Sequence, residues 1–267
     1  MSHEHLAISG RSAILAIIGD PIAQVRAPLM INATLLERGR ALDAVMVPVH
    51  VSADGLAAAI TGLRAIRNFR GAIVTMPHKA AIFPLLDDVT PEARQVGACN
   101  TIRVDPSGRL IGAMFDGEGF VAGLKLAGHE VRGKRVLLLG AGGAAAGIAF
   151  ALGKYGVSSL TIHNRTRAAA VDLAERVQQA WPRLAVTAND APPYDIIINA
   201  TSLGMKAGDA LPVNPDLLRP PMLAVEIIVH PEFTPFLAQA AKVGCQIHPG
   251  KPMLAAQMGL MLDFLGF

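Results

Sequence analysis

A chain of 267 residues is long enough for two modest domains or one large one. At 52% hydrophobic and 17% charged it is core-forming, which excludes a disordered chain; with aromatics at 4%, Ala, Leu, Ile and Val must build the core. The net charge of +3 comes from scattered rather than clustered arginines, so no nucleic-acid partner is expected, while a small anionic molecule suits it.

The N-terminal segment has an apolar run over 13–18, AILAII, followed at once by Gly19-Asp20-Pro21. It is too short to span a membrane and lacks a cleavage signature, so it reads as a buried first strand, 13–19. No later run reaches membrane-spanning length, and no membrane partner is expected. A helix is expected over 28–39, stopped by Gly39, then a strand over 44–51 that Pro48 assigns to a sheet edge. A second helix is expected over 52–66 with Ser52 as its N-cap. The stretch GAIVTMPHK, 71–79, reads as a strand over 71–76 running into a helix over 77–86. Pro77 suits the first position of that helix, and Lys79 would then sit in its first turn, at the positive end of the dipole. That is a poor place for a surface cation and raises the question of whether Lys79 is held for chemistry. Strands over 100–104 and 109–114 flank the turn DPSG, 105–108, and read as a hairpin. Cys99 and Cys245 lie far apart with no CxxC or Cys/His spacing; no metal site and no disulfide is expected, and a reducing cytoplasm is the default.

A second alternating series begins near residue 134. Strands are expected over 135–140, 159–164, 184–188, 194–201 and 223–229, with a helix over 167–180 and an apolar helix in the last segment, KPMLAAQMGLMLDFLGF. Strands separated by helices mean βαβ units and a parallel sheet. Two such series joined near 115–130 predict an α/β chain of two lobes. RVLLLGAGGAAAGIAFAL carries Gly140, Gly142 and Ala145 at the G-x-G-x-x-G/A spacing, after a buried strand and opening a helix. That context turns a weak motif into a dinucleotide site: a tight turn, a close approach to a pyrophosphate, and close helix–strand packing. The next strand ends in HNRTR with no acid for a ribose hydroxyl, whereas Arg165 and Arg167 offer forked donors to a 2′-phosphate. NADP is therefore expected over NAD.

With the strand over 135–140 fixed, the other segments fall into a known order, and the sequence resembles the shikimate dehydrogenase family over nearly its whole length. The segments that carry the resemblance are GDPIAQVRAP (19–28), GAIVTMPHK, GACNT (97–101), FDGEGF (115–120), GAGGAA, NRT, NATSLGM (199–205) and GKPMLAAQ (250–257). It implies a three-layer α/β substrate and catalytic domain, 1–115 with 250–267, and a Rossmann-type NADP-binding domain, 116–249. It implies reversible hydride transfer between NADPH and 3-dehydroshikimate or a related hydroaromatic keto acid, with no metal. By position, Lys79 is implied as the acid/base paired with Asp116. Thr75, Asn100 and Gln257 are implied as substrate ligands, with Val25, Arg26, Ala27 and Val229 also at substrate-binding positions. Gly140, Ala141, Gly142, Gly143, Ala144, Asn164, Arg165, Thr166, Arg167, Thr201, Ile227 and Gly250 are implied as the cofactor lining.

Several positions depart from the family pattern. Val25 and Ala27 stand where the family has two carboxylate-binding serines, Ile73 replaces a pocket asparagine, Met114-Phe115 replaces Asn-Thr, and Val229 replaces a tyrosine. Two hydrogen bonds to a charged group contribute about 3–6 kcal/mol, or roughly 10²–10⁴ in affinity. The expectation is an altered substrate preference, unless Arg26 turns inward to hold the carboxylate. A different-class alternative is a non-catalytic NADPH-binding regulatory protein on the same scaffold, against which the retained Lys79, Asp116 and Asn100 argue. The sequence leaves the oligomeric state open, a homodimer included.

Overall fold

The computed structural model describes residues 8–267; the part of the N-terminal reading that falls on 1–7 lies outside the described residues. They form two compact units, one running to Phe115 and taking in Met258–Phe267, the other Asp116–Gln257. The second boundary thus falls within the last helix rather than just before it.

In the first unit β1 (Ala13–Gly19) lies between β2 (Ala44–His50) and β3 (Phe69–Val74), all parallel. The centre of the sheet is apolar on both faces, with Leu15, Ala16 and Ile18 fully buried. β2 is the edge strand, as Pro48 requires, since proline has no N–H for a second neighbour. The hairpin β5 (Thr101–Val104) and β6 (Leu110–Ala113) joins β3 antiparallel, and a two-residue β4 (Asp88–Val89) completes the order β2-β1-β3-β5-β6-β4. Asp105 closes the hairpin turn: its Oδ1 accepts from the Ser107 hydroxyl at 2.7 Å and from the amides of Ser107 and Arg109 at 2.8 and 3.0 Å.

The helices of this unit differ from expectation. α1 (Ala27–Glu37) ends before Gly39, which takes the left-handed conformation at φ 68°. α2 (Leu56–Arg64) is shorter than expected, and Gly55 rather than Ser52 is its N-cap. The Ser52 hydroxyl is used locally on Asp54, and the Ser52 carbonyl accepts from Gly55 N–H at 3.2 Å, so the residues form a turn in place of a first helical turn. The helix expected over 77–86 is absent. Pro84 has no N–H for the preceding turn and clashes with the carbonyl four residues back. The segment is a run of turns ending in a 3-10 turn, Phe83–Leu85. An unanticipated α3 (Pro91–Val96) follows, with Thr90 capping Ala93 N–H at 3.3 Å and Gly97 left-handed at its end.

The second unit holds a fully parallel sheet. Its strands are β7 (Arg135–Leu139), β8 (Ser159–His163), β9 (Ala185–Thr187), β10 (Ile196–Asn199), β11 (Leu223–Glu226) and an unanticipated β12 (Gln246–His248). The order β12-β11-β10-β7-β8-β9 is that of a doubly wound dinucleotide-binding fold, and it reverses direction between β7 and β10. Helices α4 (Asp116–Leu126), α5 (Gly143–Lys154), α6 (Arg167–Ala180), α7 (Pro235–Lys242) and the first part of α8 (Lys251–Leu265), up to Gln257, complete the series. α4 meets α8 through glycines: a Cβ on Gly119 would lie 2.6 Å from Gln257 Cβ, and one on Gly123 2.8 Å from Met253 N. No helix among the described residues is long and apolar enough to cross a membrane.

Candidate active site

Lys79 is half-buried in the turns after β3, so its expected place at a helix N-terminus, and the dipole argument built on it, do not hold. What fixes it is the sheet. Its carbonyl accepts from Cys99 N–H at 2.8 Å, and the preceding His78, 1% exposed, places Nε2 at 2.7 Å from the Val51 carbonyl. Burial pushes the Cys99 thiol up to about 12, so this neighbour of Lys79 is a neutral packing group.

Thr75 continues from β3, its amide donating to the Ile18 carbonyl at 2.9 Å. Asn100 is 1% exposed, and its carbonyl accepts from Val74 N–H at 2.7 Å. Its Oδ1 accepts from Phe115 N–H at 3.0 Å and Thr101 Oγ1 at 3.1 Å, which sets which end of the amide is the donor. The same sheet thus brings Thr75, Lys79 and Asn100 to one end of neighbouring strands. Val25 is half-buried and Ala27 is buried at the first turn of α1, while Arg26 is an exposed N-cap. Ile73 and Met114 are buried, and Phe115 packs edge-on against Phe264 at 5.6 Å.

In the second unit Asp116 is 2% exposed and opens α4, where the helix dipole favours a carboxylate. Gln257, 5% exposed, is seated by the α4 glycines. Gly140 ends β7 at φ 115°, and a Cβ there would meet the Ala200 carbonyl oxygen at 2.7 Å, so glycine is required. Gly142 is the N-cap of α5, a Cβ on it would project into open space, and Ala141, Gly143 and Ala144 surround it. Beyond β8, Asn164 Nδ2 donates to the Thr166 carbonyl at 3.0 Å, and Thr166 is the N-cap of α6. Both arginines are exposed, and Arg167 donates from Nη2 to Asn189 Oδ1. A helix N-terminus with an open, Cβ-free cradle, and arginine rather than an acid after β8, fits NADP.

At the end of β10, Thr201 donates from both N–H and Oγ1 to Asn199 Oδ1, at 3.1 and 2.7 Å. Ile227 and Val229 are half-buried after β11, and Gly250 is buried just before α8. Sequence reasoning passed over Glu226 and Asn199, which are 1% and 0% exposed. Burial pushes the Glu226 carboxyl above its usual range, against the hydrogen bonds it accepts. The signal for it was a single acid inside the apolar run LAVEIIV.

Residues 17–102 match the shikimate dehydrogenase substrate-binding domain, and residues 123–206 match the shikimate/quinate 5-dehydrogenase domain. A shikimate dehydrogenase (NADP(+)) of Rubrobacter xylanophilus is 40% identical over 256 residues, covering 94% of this chain and 89% of its own. The chain belongs to the shikimate dehydrogenase family. Among solved members of similar structure, the shikimate dehydrogenase of Thermus thermophilus in complex with NADP(H) and shikimate superposes with a TM-score of 0.84 at 32% identity, over 96% of this chain and 94% of that one. The ligand-free 5-ketofructose reductase of Gluconobacter sp. strain CHM43 superposes at 0.83 and is 34% identical over the same shares, 96% and 94%.

Proposed function

We propose that this chain, an NADP-dependent oxidoreductase of the shikimate dehydrogenase type acting on a CH–OH group, uses Lys79 as acid/base and has a substrate preference moved away from keto acids. In this reading the first unit serves the substrate and the second the cofactor. NADP, when bound, supplies or takes up the hydride. A carbinol carbon that gives up hydride must also lose its hydroxyl proton; Lys79 Nζ accepts that proton and returns it in the reverse direction. Asp116 orients the ammonium, and Thr75, Asn100 and Gln257 hold the substrate's hydroxyl groups. Arg165 reads the 2′-phosphate.

The observation that carries the shifted preference is the pair Val25 and Ala27. One is half-buried and the other buried, and neither side chain can donate to a carboxylate. An anion brought against them loses water and gains no partner. The 5-ketofructose reductase supports the same direction, since a ketosugar carries no carboxylate. The two free thiols, both buried, suit the cytoplasm as the proposed compartment.

Steady-state rates with NADPH, comparing 3-dehydroshikimate with 5-ketofructose, test this reading. The expected result is a kcat/KM at least about tenfold higher for the uncharged ketone, from the loss of about 1.4 kcal/mol or more of carboxylate binding. Saturation at micromolar shikimate in the oxidative direction would instead return the chain to shikimate itself. Intact NADPH binding with no turnover of either ketone would favour the regulatory reading.

A further inference from the structure

We propose that Glu226 is a positioning residue for the cofactor side of the site, holding in register the loops that carry Thr201, Ile227 and Gly250. The inference rests on the NADP site proposed above. Glu226 ends β11 and is 1% exposed. Oε1 accepts from the amides of Ile227 and Ile228 at 2.9 and 3.0 Å, and Oε2 accepts from Thr234 Oγ1 at 2.9 Å. Asn199 Nδ2 reaches both oxygens, at 3.1 and 2.9 Å. A leucine would be buried here at far lower cost, because a carboxylate leaves water only when several donors converge on it. What the carboxylate contributes is therefore directional.

Two chains of contact lead from it. The first runs through Asn199. Its Nδ2 is committed to Glu226 and to the Leu203 carbonyl at 3.0 Å, which turns Oδ1 toward Thr201. Oδ1 then takes both the amide and the hydroxyl of Thr201, so backbone and side chain are locked together. Ala200, between them, lies against the phosphate-binding turn, with its carbonyl oxygen 2.7 Å from where a Gly140 Cβ would stand. The second chain runs through the amides of Ile227 and Ile228. Both donate to the carboxylate, Ile227 N–H also reaching the Asn199 carbonyl at 3.2 Å, and the carbonyl oxygens of Ile227 and Ile228 lie 2.6 and 2.5 Å from where a Gly250 Cβ would stand. One carboxylate thus sets Thr201, Ile227 and the start of α8 together. Glu226 touches neither substrate nor cofactor in this proposal and acts only through these neighbours.

The test measures NADPH binding by fluorescence titration and amide hydrogen exchange of the cofactor-free protein. In Glu226→Gln one oxygen becomes a donor facing the Ile amides or Asn199 and Thr234. The NADPH Kd is expected to rise at least about tenfold, with exchange accelerated over 200–204 and 227–229, while KM for the ketone at saturating NADPH moves less than about threefold. Glu226→Asp, which keeps the acceptors one methylene shorter, should recover most of the lost affinity. A Kd for E226Q within twofold of wild type, or no recovery in E226D, would overturn the proposal. Should E226Q not fold, Thr234→Val removes one donor and leaves the carboxylate in place. An expected rise of about threefold in its NADPH Kd would support the proposal, and an unchanged Kd would overturn it. If the unmodified protein does not bind NADPH, the proposed NADP site itself fails, an outcome distinct from wild-type affinity in E226Q.

Discussion

Replacing Lys79 by alanine removes the group we assign to proton transfer without touching the cofactor loops. Turnover is expected to fall by about 10²–10⁴, with the NADPH Kd nearly unchanged. Single-turnover absorbance at the reduced nicotinamide reads the first and fluorescence titration the second; wild-type turnover would make Lys79 a surface residue. In the second unit, Arg165→Ala should weaken NADPH binding by about 10–100-fold and leave NADH binding nearly unaffected, the size of one or two charge-assisted hydrogen bonds. Equal loss for both cofactors would show that Arg165 does not read the 2′-phosphate. Arg167 has one of its guanidinium nitrogens, Nη2, engaged by Asn189, which is why Arg165 is the first to test. Nothing in the spelling HNRTR separates the two arginines, since the residue that separates them comes from the loop after β9. The helix dipole first invoked for Lys79 does not hold, because turns and no helix follow β3, and its proposed role rests on the motif alone. Glu226 was illegible because one of the donors that converge on it, Asn199, comes from another strand 27 residues away, and nothing in the run LAVEIIV announces it.

Elements were legible wherever one local rule governed them. The buried runs over 13–19 and 135–140 became central strands, Pro48 marked an edge, and the Asp105 turn closed a hairpin. They were misread where two local rules competed. Pro77 invites a helix and Pro84 forbids its continuation, and the second wins. Ser52 can cap a helix or close a turn with Asp54 and Gly55, and it does the latter. The role of α4 came from neither rule: its glycines look like poor helix formers until α8 is laid on them. Gly119→Ala tests that contact. The new methyl would stand 2.6 Å from Gln257 Cβ, closer than real Cβ contacts, so α8 must move. Overpacking of this kind costs about 1–3 kcal/mol, and urea unfolding should show a lower midpoint with an unchanged slope. Because the displaced residue is Gln257, KM for the ketone should rise as well. A lower midpoint with wild-type KM would remove Gln257 from the substrate side.

For the molecule as a whole, titratable groups that are shifted in the folded state make its stability depend on pH. Asp195 is bound by the Arg135 guanidinium at 2.7 and 3.0 Å and held at about 2, below its ordinary 3.8. Its contribution is complete above about pH 4 and is lost only as pH falls toward 2. His248 acts in a higher window. It is 4% exposed, its Nε2 has no partner, and His129 stands edge-on at 5.6 Å. Burial first, and repulsion from His129 second, lower it from 6.5 to about 4. Between those values the unfolded chain binds a proton that the folded chain refuses, so stability falls as pH drops from 6.5 to 4. Glu226 works in the opposite sense: burial raises it, so the folded state keeps its proton longer and stability declines as pH rises above its ordinary 4.5. The two windows overlap, and the wild-type curve is their difference. His248→Met, which fills the site without a titrating group, separates them. Wild type should lose about 2–3 kcal/mol relative to this variant between pH 7.5 and pH 4.5, read from urea midpoints at each pH. The variant's own curve should fall less steeply toward pH 4.5 than that of wild type, since Glu226 favours the folded state there while Glu118, held below its ordinary 4.5 against burial by the hydrogen bonds from Lys154 and Tyr155, opposes it. Parallel curves for the two proteins would show that His248 takes up its proton in the folded state as readily as in the unfolded chain.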